Sequence, residues 1–225
     1  MASQLAVVIP VLDEAERIRA SLEALAPLRA RGHPVIVVDG GSRDATMELA
    51  RPLADLVLSS TKGRAKQMNA GAQAAARVSA LVFLHADTRL PDRADALILN
   101  ALKVYAWGRF NVRIEGSHPL LGLIACAMNL RSRLTGIATG DQAIFVRRDV
   151  FLGFPEIPLM EDIAFSRAMK RVSAPACLRD CVTTSGRRWE ARGVVRTIFL
   201  MWRLRLLYAL GVEPQRLARD YADQR

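Results

Sequence analysis

The stretch "ALVFLHADTRLP", Ala80 to Pro91, is apolar and strand-like up to Leu84 and then presents His85 and Asp87. In an open parallel sheet, ligands bind in the crevice beyond the carboxyl ends of the strands, which makes an imidazole and a carboxylate at such an end candidates for chemistry. The competing reading is a polar strand exit in which Asp87 caps the turn. A second acidic feature is "LMEDI", where Glu161 and Asp162 stand side by side. A carboxylate within hydrogen-bond reach of a hydroxyl can remove its proton. An acidic pair also suits the first turn of a helix, where the dipole favours negative charge.

Two further stretches suit anions. "VVDGGSRDAT", Val37 to Thr46, places Asp39 at a strand end, Gly40 and Gly41 in a tight turn, and Ser42 and Asp44 as helix caps. Such a turn leaves backbone N–H groups exposed. It lacks the G-x-G-x-x-G of a dinucleotide fold and is not a P-loop, and a plain strand-to-helix turn is the alternative. "KGRAKQMNAGAQAA", Lys62 to Ala76, gathers Lys62, Arg64 and Lys66 at a helix start, against the positive end of the dipole. A diphosphate that all three approach explains the placement; a solvated basic surface is the alternative.

The elements that must hold these residues follow from periodicity. Three apolar, β-branched-rich runs end in a polar signal and lead into helical patterns: "LAVVIPV" before Leu12 to Ala30, "VIVVDGGS" before Asp44 to Leu53, and "ALVFLHADT" before Asp92 to Val104. Ile18, Leu22, Leu25 and Leu28 fall on one helix face, and the short run "DLVLSS" precedes a further helix from Lys62 to Arg77. Alternating strand and helix predicts an α/β protein with a parallel sheet. Beyond residue 105 the alternation loosens. There "WGRFNVRIE" and "QAIFVRR" read as strands, "HPLLGLIACAMNLRSRL" as a helix, and "PLMEDIAFSRAMKRV" as a loop entering one. Ala191 to Gly211 reads as a helix that is apolar over most of its circumference.

In order along the chain, "VVIPVLDEAERI", "VIVVDGGSRDAT", "GRAKQMNAGA", "FLHADT", "GDQAIFVRR" and "LMEDI" resemble the motifs of a family 2 glycosyltransferase of the GT-A fold. More closely, the chain is similar to the small bacterial branch of selenodomain- or radical-SAM-associated glycosyltransferases. The resemblance runs from residue 5 to residue 212. It implies a mostly parallel GT-A sheet flanked by helices, with an amphipathic C-terminal helix. The expected organisation is a single glycosyltransferase domain over 1–225, with a nucleotide-binding half (5–104), an acceptor-binding half (105–190) and a C-terminal helix and tail (191–225).

The activity so implied is metal-dependent, inverting transfer of a sugar from a nucleotide diphosphate sugar to an unidentified acceptor, which the pattern of the last helix, given below, suggests is lipid-linked or membrane-proximal. On this resemblance Pro10, Val11, Glu14, Asp39 and Gly41 bind the donor, with Asp39 on the base, and Arg64 approaches the nucleotide. "HADT" stands where the family has a D-x-D metal motif, which makes Asp87 a ligand for Mn2+ or Mg2+, hard ions suited to oxygen donors. His85 replaces the usual first Asp and either bonds the ribose or closes the strand. Asp162 is implied as the base that deprotonates the acceptor, with Glu161 beside it to position the acceptor. Asp141 and Gln142 lie in the loop under donor sugar and acceptor. "SGRRWE" partly resembles the Q-x-x-R-W signature of processive members, but Ser185 replaces the Gln, so polymer synthesis is not supported. Arg187, Arg188 and Trp189 are still placed to close over the diphosphate.

Composition narrows the alternatives. With 225 residues, 51% of them hydrophobic, the chain can build one full core. Cys126, Cys177 and Cys181 form no Cys-x-x-Cys pair and no Cys/His cluster, so they read as reduced and zinc is not expected. The longest uncharged run, Gly116 to Leu130, falls short of the ~20 residues that cross a bilayer. "LAVVIPV" follows no charged start and cleavage site, so the expected location is the cytoplasm, reaching to the inner face of the membrane. A net charge of +10 requires an anionic partner, and from Ser185 onward nine arginines face four carboxylates. In the last helix Arg192, Arg196 and Arg203 fall within roughly 40° of one another, bordered by Phe199, Trp202, Leu206 and Leu210. That is the pattern of a helix lying on an anionic membrane, with a core helix as the alternative. A sugar-phosphate nucleotidyltransferase would carry a Gly-rich loop where this chain has "PVLDEAERI". Nucleic-acid binders interleave exposed aromatics with basic residues, whereas aromatics here are 6% and sit in apolar runs, so no nucleic acid is expected.

Overall fold

The first strand, β1 (Leu5–Val11), is buried on both faces, and that explains its unbroken apolar run. Leu5, Val7, Ile9 and Val11 belong to one core, Ala6 and Val8 to the other. The structure, a computed structural model, describes residues 4–222. Its other strands are β2 (Val35–Asp39), β3 (Leu56–Ser59), β4 (Ala80–Phe83), β5 (Thr88–Arg89), β6 (Trp107–Glu115), β7 (Phe145–Arg147) and β8 (Ala176–Ser185). They form one sheet in the order β3-β2-β1-β4-β7-β6-β8-β5. The pairs β2-β3, β1-β2, β1-β4 and β6-β8 are parallel. The pairs β4-β7, β6-β7 and β5-β8 are antiparallel. The first half is thus the parallel α/β arrangement expected, and mixed pairing begins where the strand–helix alternation loosened.

The helices are α1 (Ala15–Glu23), α2 (Ala26–Ala30), α3 (Thr46–Ala50), α4 (Arg64–Ala74), α5 (Ala94–Ala101), α6 (Leu120–Thr135), α7 (Glu161–Met169), α8 (Arg187–Arg192), α9 (Val194–Ala209) and α10 (Pro214–Ala222). Two predicted helices are each divided. Between α1 and α2 the chain restarts with Pro27 in the new first turn, where its missing N–H is harmless; inside a continuous helix it would break the ladder. All four apolar positions of that stretch, Ile18, Leu22, Leu25 and Leu28, are nevertheless buried. The second break falls at Gly193, whose φ of 83° ends α8 and starts α9.

Two contacts set the geometry of the first half. A Cβ on Gly71 would stand 2.4 Å from Val8 Cγ1, so glycine lets α4 lie against β1 and brings Arg64, at its first turn, to the strand ends. At the opposite edge, Asp95 of α5 accepts hydrogen bonds from Arg31 Nε (2.6 Å) and Nη2 (3.1 Å) and lies 3.1 Å from His33 Nε2. His33 Nδ1 accepts the Leu5 N–H at 3.2 Å, so the neutral ring carries its proton on Nε2, facing Asp95.

This cluster makes a stability prediction. Burial raises the Asp95 carboxyl, but the Arg31 hydrogen bonds, the Ala96 N–H and His33 outweigh it and hold its pKa below the ordinary value. A depressed carboxyl contributes stability that is present in full above the unfolded-state pKa and is lost as pH falls through the folded one. Asp95→Asn is therefore expected to cost about 1–3 kcal/mol in urea unfolding at pH 7. The gap between wild type and variant should shrink below pH ~4. A gap independent of pH would remove the charged carboxylate from the explanation.

Candidate active site

Strand β1 lies between β2 and β4, so the chain leaves it in opposite directions and opens a crevice at the carboxyl ends, the switch point where α/β sheets bind ligands. Two cavities meet there. The first is lined by Pro10, Val11 and Glu14 from the end of β1, with Lys62 and Gln67 from the start of α4. The second is lined by Thr139, Asp141, Asp162, Thr184, Trp189 and Arg205. Arg64, His85, Asp87, Leu159, Glu161 and Tyr221 line both and form the seam between them.

Glu161 reaches the seam, and Asp162 the second cavity, because α7 starts abruptly. Met160 holds a left-handed φ of 69°, a conformation that costs a non-glycine residue about 1–3 kcal/mol and that recurs at functional sites. Asp162 accepts the Gly140 N–H through Oδ2 at 3.1 Å and the Ile163 N–H through Oδ1 at 2.7 Å. A carboxylate offers about four lone-pair sites, so these two bonds orient it and leave acceptor capacity for a hydroxyl. Glu161 is only 4% exposed and pairs with Arg64 at 3.3 Å. Burial pushes the Glu161 carboxyl up, with Asp162 beside it acting in the same sense and Arg64 opposing. Desolvation works against the Arg64 charge, but Glu161, Asp162 and Asp141 together outweigh it and raise its pKa.

Opposite these groups, His85 Nδ1 lies 3.2 Å from Asp141 Oδ1, and its Nε2 is buried with no hydrogen-bond partner among the described residues. The loop carrying Asp141 can lie this close only because residue 140 is glycine: a Cβ there would stand 2.5 Å from His85 Nε2.

Several sequence-predicted residues have other neighbours. Asp39 is 2% exposed, and its carboxylate accepts the N–H groups of Gly41 (2.8 Å) and Ser42 (2.9 Å) and the Ser42 hydroxyl. It braces the turn after β2, and neither it nor Gly41 is in the lining of either cavity. Gln142 is fully buried and accepts the Thr139 N–H at 3.1 Å, bracing the loop that carries Asp141. Arg187 pairs with Glu16 at 3.6 Å, outside the cavity linings, while Trp189 lines the second cavity. The Arg188 side chain lies outside the described residues. Among the described residues, no group of three or more His, Cys, Asp or Glu is placed to hold a metal ion.

Residues 6–114 match the family model described as "Glycosyl transferase family 2". Over that stretch the chain is similar to glycosyl transferase family 2. No curated protein matches the sequence. Among solved structures, S. aureus TarS 1-349 in complex with UDP aligns at 20% identity with a TM-score of 0.62, over 81% of this chain and 60% of that one. Glucosyl-3-phosphoglycerate synthase from Mycobacterium tuberculosis, in complex with Mn2+, UDP and phosphoglyceric acid, aligns at 18% identity with a TM-score of 0.60, over 81% of this chain and 70% of that one. These likenesses show the GT-A fold, and this chain spans 60% of the length of the TarS structure it matches.

Three residues of these cavity linings, Arg205, Thr184 and Tyr221, carry no signal in the sequence reading. Arg205 sits in a helix read only for its outer face. Thr184 belongs to β8, a strand whose charged "RD" interrupts any alternation, and Tyr221 to α10, a polar helix of which the periodicity reading made nothing.

Proposed function

We propose that the chain is a metal-dependent inverting glycosyltransferase that uses a nucleotide diphosphate sugar. The observation that carries this is the seam: two cavities meet at Glu161, Asp87 and Arg64, with Asp162 opening into the second. On this reading residues 5–104 hold the nucleotide, with Pro10 and Val11 along the base and Lys62 and Arg64 near the diphosphate. Asp39 and Gly41 serve the site through the shape of their turn. Residues 105–190 hold the acceptor. Asp141 bonds sugar hydroxyls and orients His85, Glu161 positions the acceptor, and Trp189 covers the second cavity. The further resemblance to the selenodomain-associated branch rests on the sequence motifs.

The transfer balances simply. Asp162 takes the proton of an acceptor hydroxyl, the oxygen bonds the anomeric carbon from the face opposite the leaving group, and the bond to the diphosphate breaks with its electron pair going to the diphosphate oxygen. Asp87 fits a Mg2+ or Mn2+ ion, because such ions are commonly held by one or two carboxylates with substrate phosphates completing the shell. His85 lines the same seam as Asp87, and its buried Nε2 has no hydrogen-bond partner among the described residues. When bound, the ion neutralises charge developing on the diphosphate. TarS with UDP-GlcNAc and the mycobacterial synthase with UDP and Mn2+ support a uridine nucleotide as the first donor class to try. The test is release of nucleoside diphosphate from a panel of nucleotide sugars with Mn2+. Slow metal-dependent release from at least one is expected, and release from none would refute the reading.

No helix among the described residues is long and apolar enough to cross a membrane. Helix α9 nevertheless has two faces. Val194, Thr197, Leu200 and Leu204 are buried, with Leu200 and Leu204 packed against Met160 and Ile163 at the α7 start. Val195, Phe199, Trp202, Leu206 and Leu210 are exposed, Phe199 and Trp202 at 69% and 70%, within an arc of about 80°. Arg196 edges this stripe; Arg203 does too but spends charge on Asp220 at 3.0 Å. A bulky apolar stripe with a basic border supports a cytoplasmic enzyme resting on the anionic inner face of the membrane, near a lipid-linked acceptor. Salt-sensitive sedimentation with phosphatidylglycerol vesicles is expected, reduced in Arg196→Glu and nearly abolished in Phe199→Ser with Trp202→Ser. Binding unchanged by either would assign the stripe elsewhere.

A further inference from the structure

Among the described residues, six line both cavities, and five of them belong to segments that already carry the site: Arg64 starts α4, His85 and Asp87 follow β4, and Leu159 and Glu161 flank the α7 start. The sixth, Tyr221, comes from α10, well beyond the residues 6–114 that match the family model. Ala218, one turn earlier in α10, lines the first cavity as well.

The direction of α10 is set by the turn before it. Gly211 takes a φ of 88°, its N–H donates to the Tyr208 carbonyl at 3.1 Å, and the Val212 N–H donates to the Leu207 carbonyl at 3.0 Å. These are the two bonds of a Schellman motif, which ends α9 on a glycine; Pro214 then opens α10 where its missing N–H costs nothing. Leu217 is fully buried among Met160, Ile163, Leu200 and Leu204, and Asp220 pairs with Arg203 of α9 at 3.0 Å. At about 100° per residue, Tyr221 falls on the helix surface between Leu217, which anchors α10, and Ala218, which faces the first cavity. Gln215, Arg216 and Arg219 are exposed on the other side. Tyr221 packs on the same apolar cluster as Leu217, and both cavities are open with the ring in that position.

We propose that Tyr221 is a donor-binding residue whose ring covers the sugar of the nucleotide sugar at the seam, so that α10 completes the active site. The inference rests on the glycosyltransferase reading and adds a residue to it. On that reading the nucleotide lies in the first cavity and the attacking hydroxyl meets Asp162 in the second, so the bond between diphosphate and sugar falls at the seam that Tyr221 lines. A tyrosine offers an apolar ring face with a polar tip, and the C–H face of a sugar packs on such a surface while its hydroxyls remain for polar partners. Small-molecule sites combine aromatic and apolar walls with a few placed polar groups. At the seam Arg64, His85, Asp87 and Glu161 are the polar groups, and Tyr221 with Leu159 is the wall.

The test is calorimetric titration of the full chain, with Mn2+, by UDP-glucose, UDP-GlcNAc, GDP-mannose and dTDP-glucose and by the matching nucleoside diphosphates. For a pair that binds the wild type, Tyr221→Ala should weaken the nucleotide sugar at least about fivefold and leave the nucleoside diphosphate within about twofold, because the ring reaches the sugar and not the nucleoside. Tyr221→Phe keeps the ring and should bind both as wild type does. Tyr221→Leu keeps apolar bulk against Leu217 and should melt close to wild type, yet lose nucleotide-sugar affinity as Tyr221→Ala does. Arg216→Ala, on the exposed side of α10, should change neither ligand. Equal weakening of both ligands in Tyr221→Ala and Tyr221→Leu would make Tyr221 a packing residue and overturn the proposal. So would nucleotide-sugar affinity unchanged in either variant, or a loss in Tyr221→Phe as large as in Tyr221→Ala. Nucleoside diphosphate binding alongside any of these leaves the glycosyltransferase reading standing; a wild type that binds none of the ligands would remove both.

Discussion

Replacing Asp162 by Asn should lower the rate of sugar transfer to a hydroxyl acceptor by on the order of 10²–10⁴, while the donor binds as before. The expectation follows from the geometry of α7. The Gly140 and Ile163 N–H groups orient the carboxylate, and Asn keeps its shape and one oxygen acceptor but cannot take a proton. Asn leaves one of these two N–H groups without its acceptor, a local cost of about 1–3 kcal/mol, so unchanged donor binding in the variant is the control that places the loss on the chemical step. An acceptor that reacts through an already ionised oxygen needs no base, and with it the variant should lose much less. Pre-steady-state transfer to the two acceptor types separates these outcomes. Full activity of Asp162→Asn toward an alcohol would return the residue to its alternative role, an acid at a helix start.

Asp87→Asn is the second large effect expected. Asp87 lines both cavities, and among the described residues its carboxylate accepts a hydrogen bond only from the Thr88 hydroxyl, at 3.4 Å, so it is little committed to holding the fold. Loss of a group that stabilises charge in the transition state costs on the order of 10²–10³ in rate. The variant should show that loss together with a raised Mn2+ requirement, at an unchanged melting temperature without ligand. Retention of wild-type turnover and metal dependence would make Asp87 a turn cap after all.

Why some of this was legible in the sequence and some was not comes down to where each signal lies. The parallel half could be read because β1, β2 and β4 are covered on both faces and so are apolar throughout. The polar residues that end such runs then stand out, as Asp87 does. Strand β8 could not be read in this way: it pairs with β6 and the two-residue β5, is half exposed, and carries Arg179 and Asp180 in its middle. Asp39 shows a different limit. Its place at a strand end was visible, but a carboxylate there can serve a ligand or its own turn, and only coordinates reveal that its oxygens face Gly41 and Ser42. Arg131 and Arg205 mark a third limit. Each is one more arginine in an arginine-rich chain, and what distinguishes them is that no hydrogen-bond or ion-pair partner stands beside the guanidinium among the described residues, which no spacing records. The two readings of the last helix proved compatible, since one face of α9 packs on α7 and the other is open.

The central claim, that the first cavity takes a nucleoside diphosphate, is tested most directly by thermal unfolding of the full chain with UDP and the other nucleoside diphosphates, each with and without Mn2+. A ligand at a hundred times its Kd stabilises the native state by about 2.7 kcal/mol, a shift of about 5–10 °C for a chain of this size. Such a shift is expected for at least one nucleoside diphosphate, larger with Mn2+, preserved in Asp162→Asn and reduced in Asp87→Asn. A melting temperature that no nucleoside diphosphate moves, with or without the ion, would contradict it.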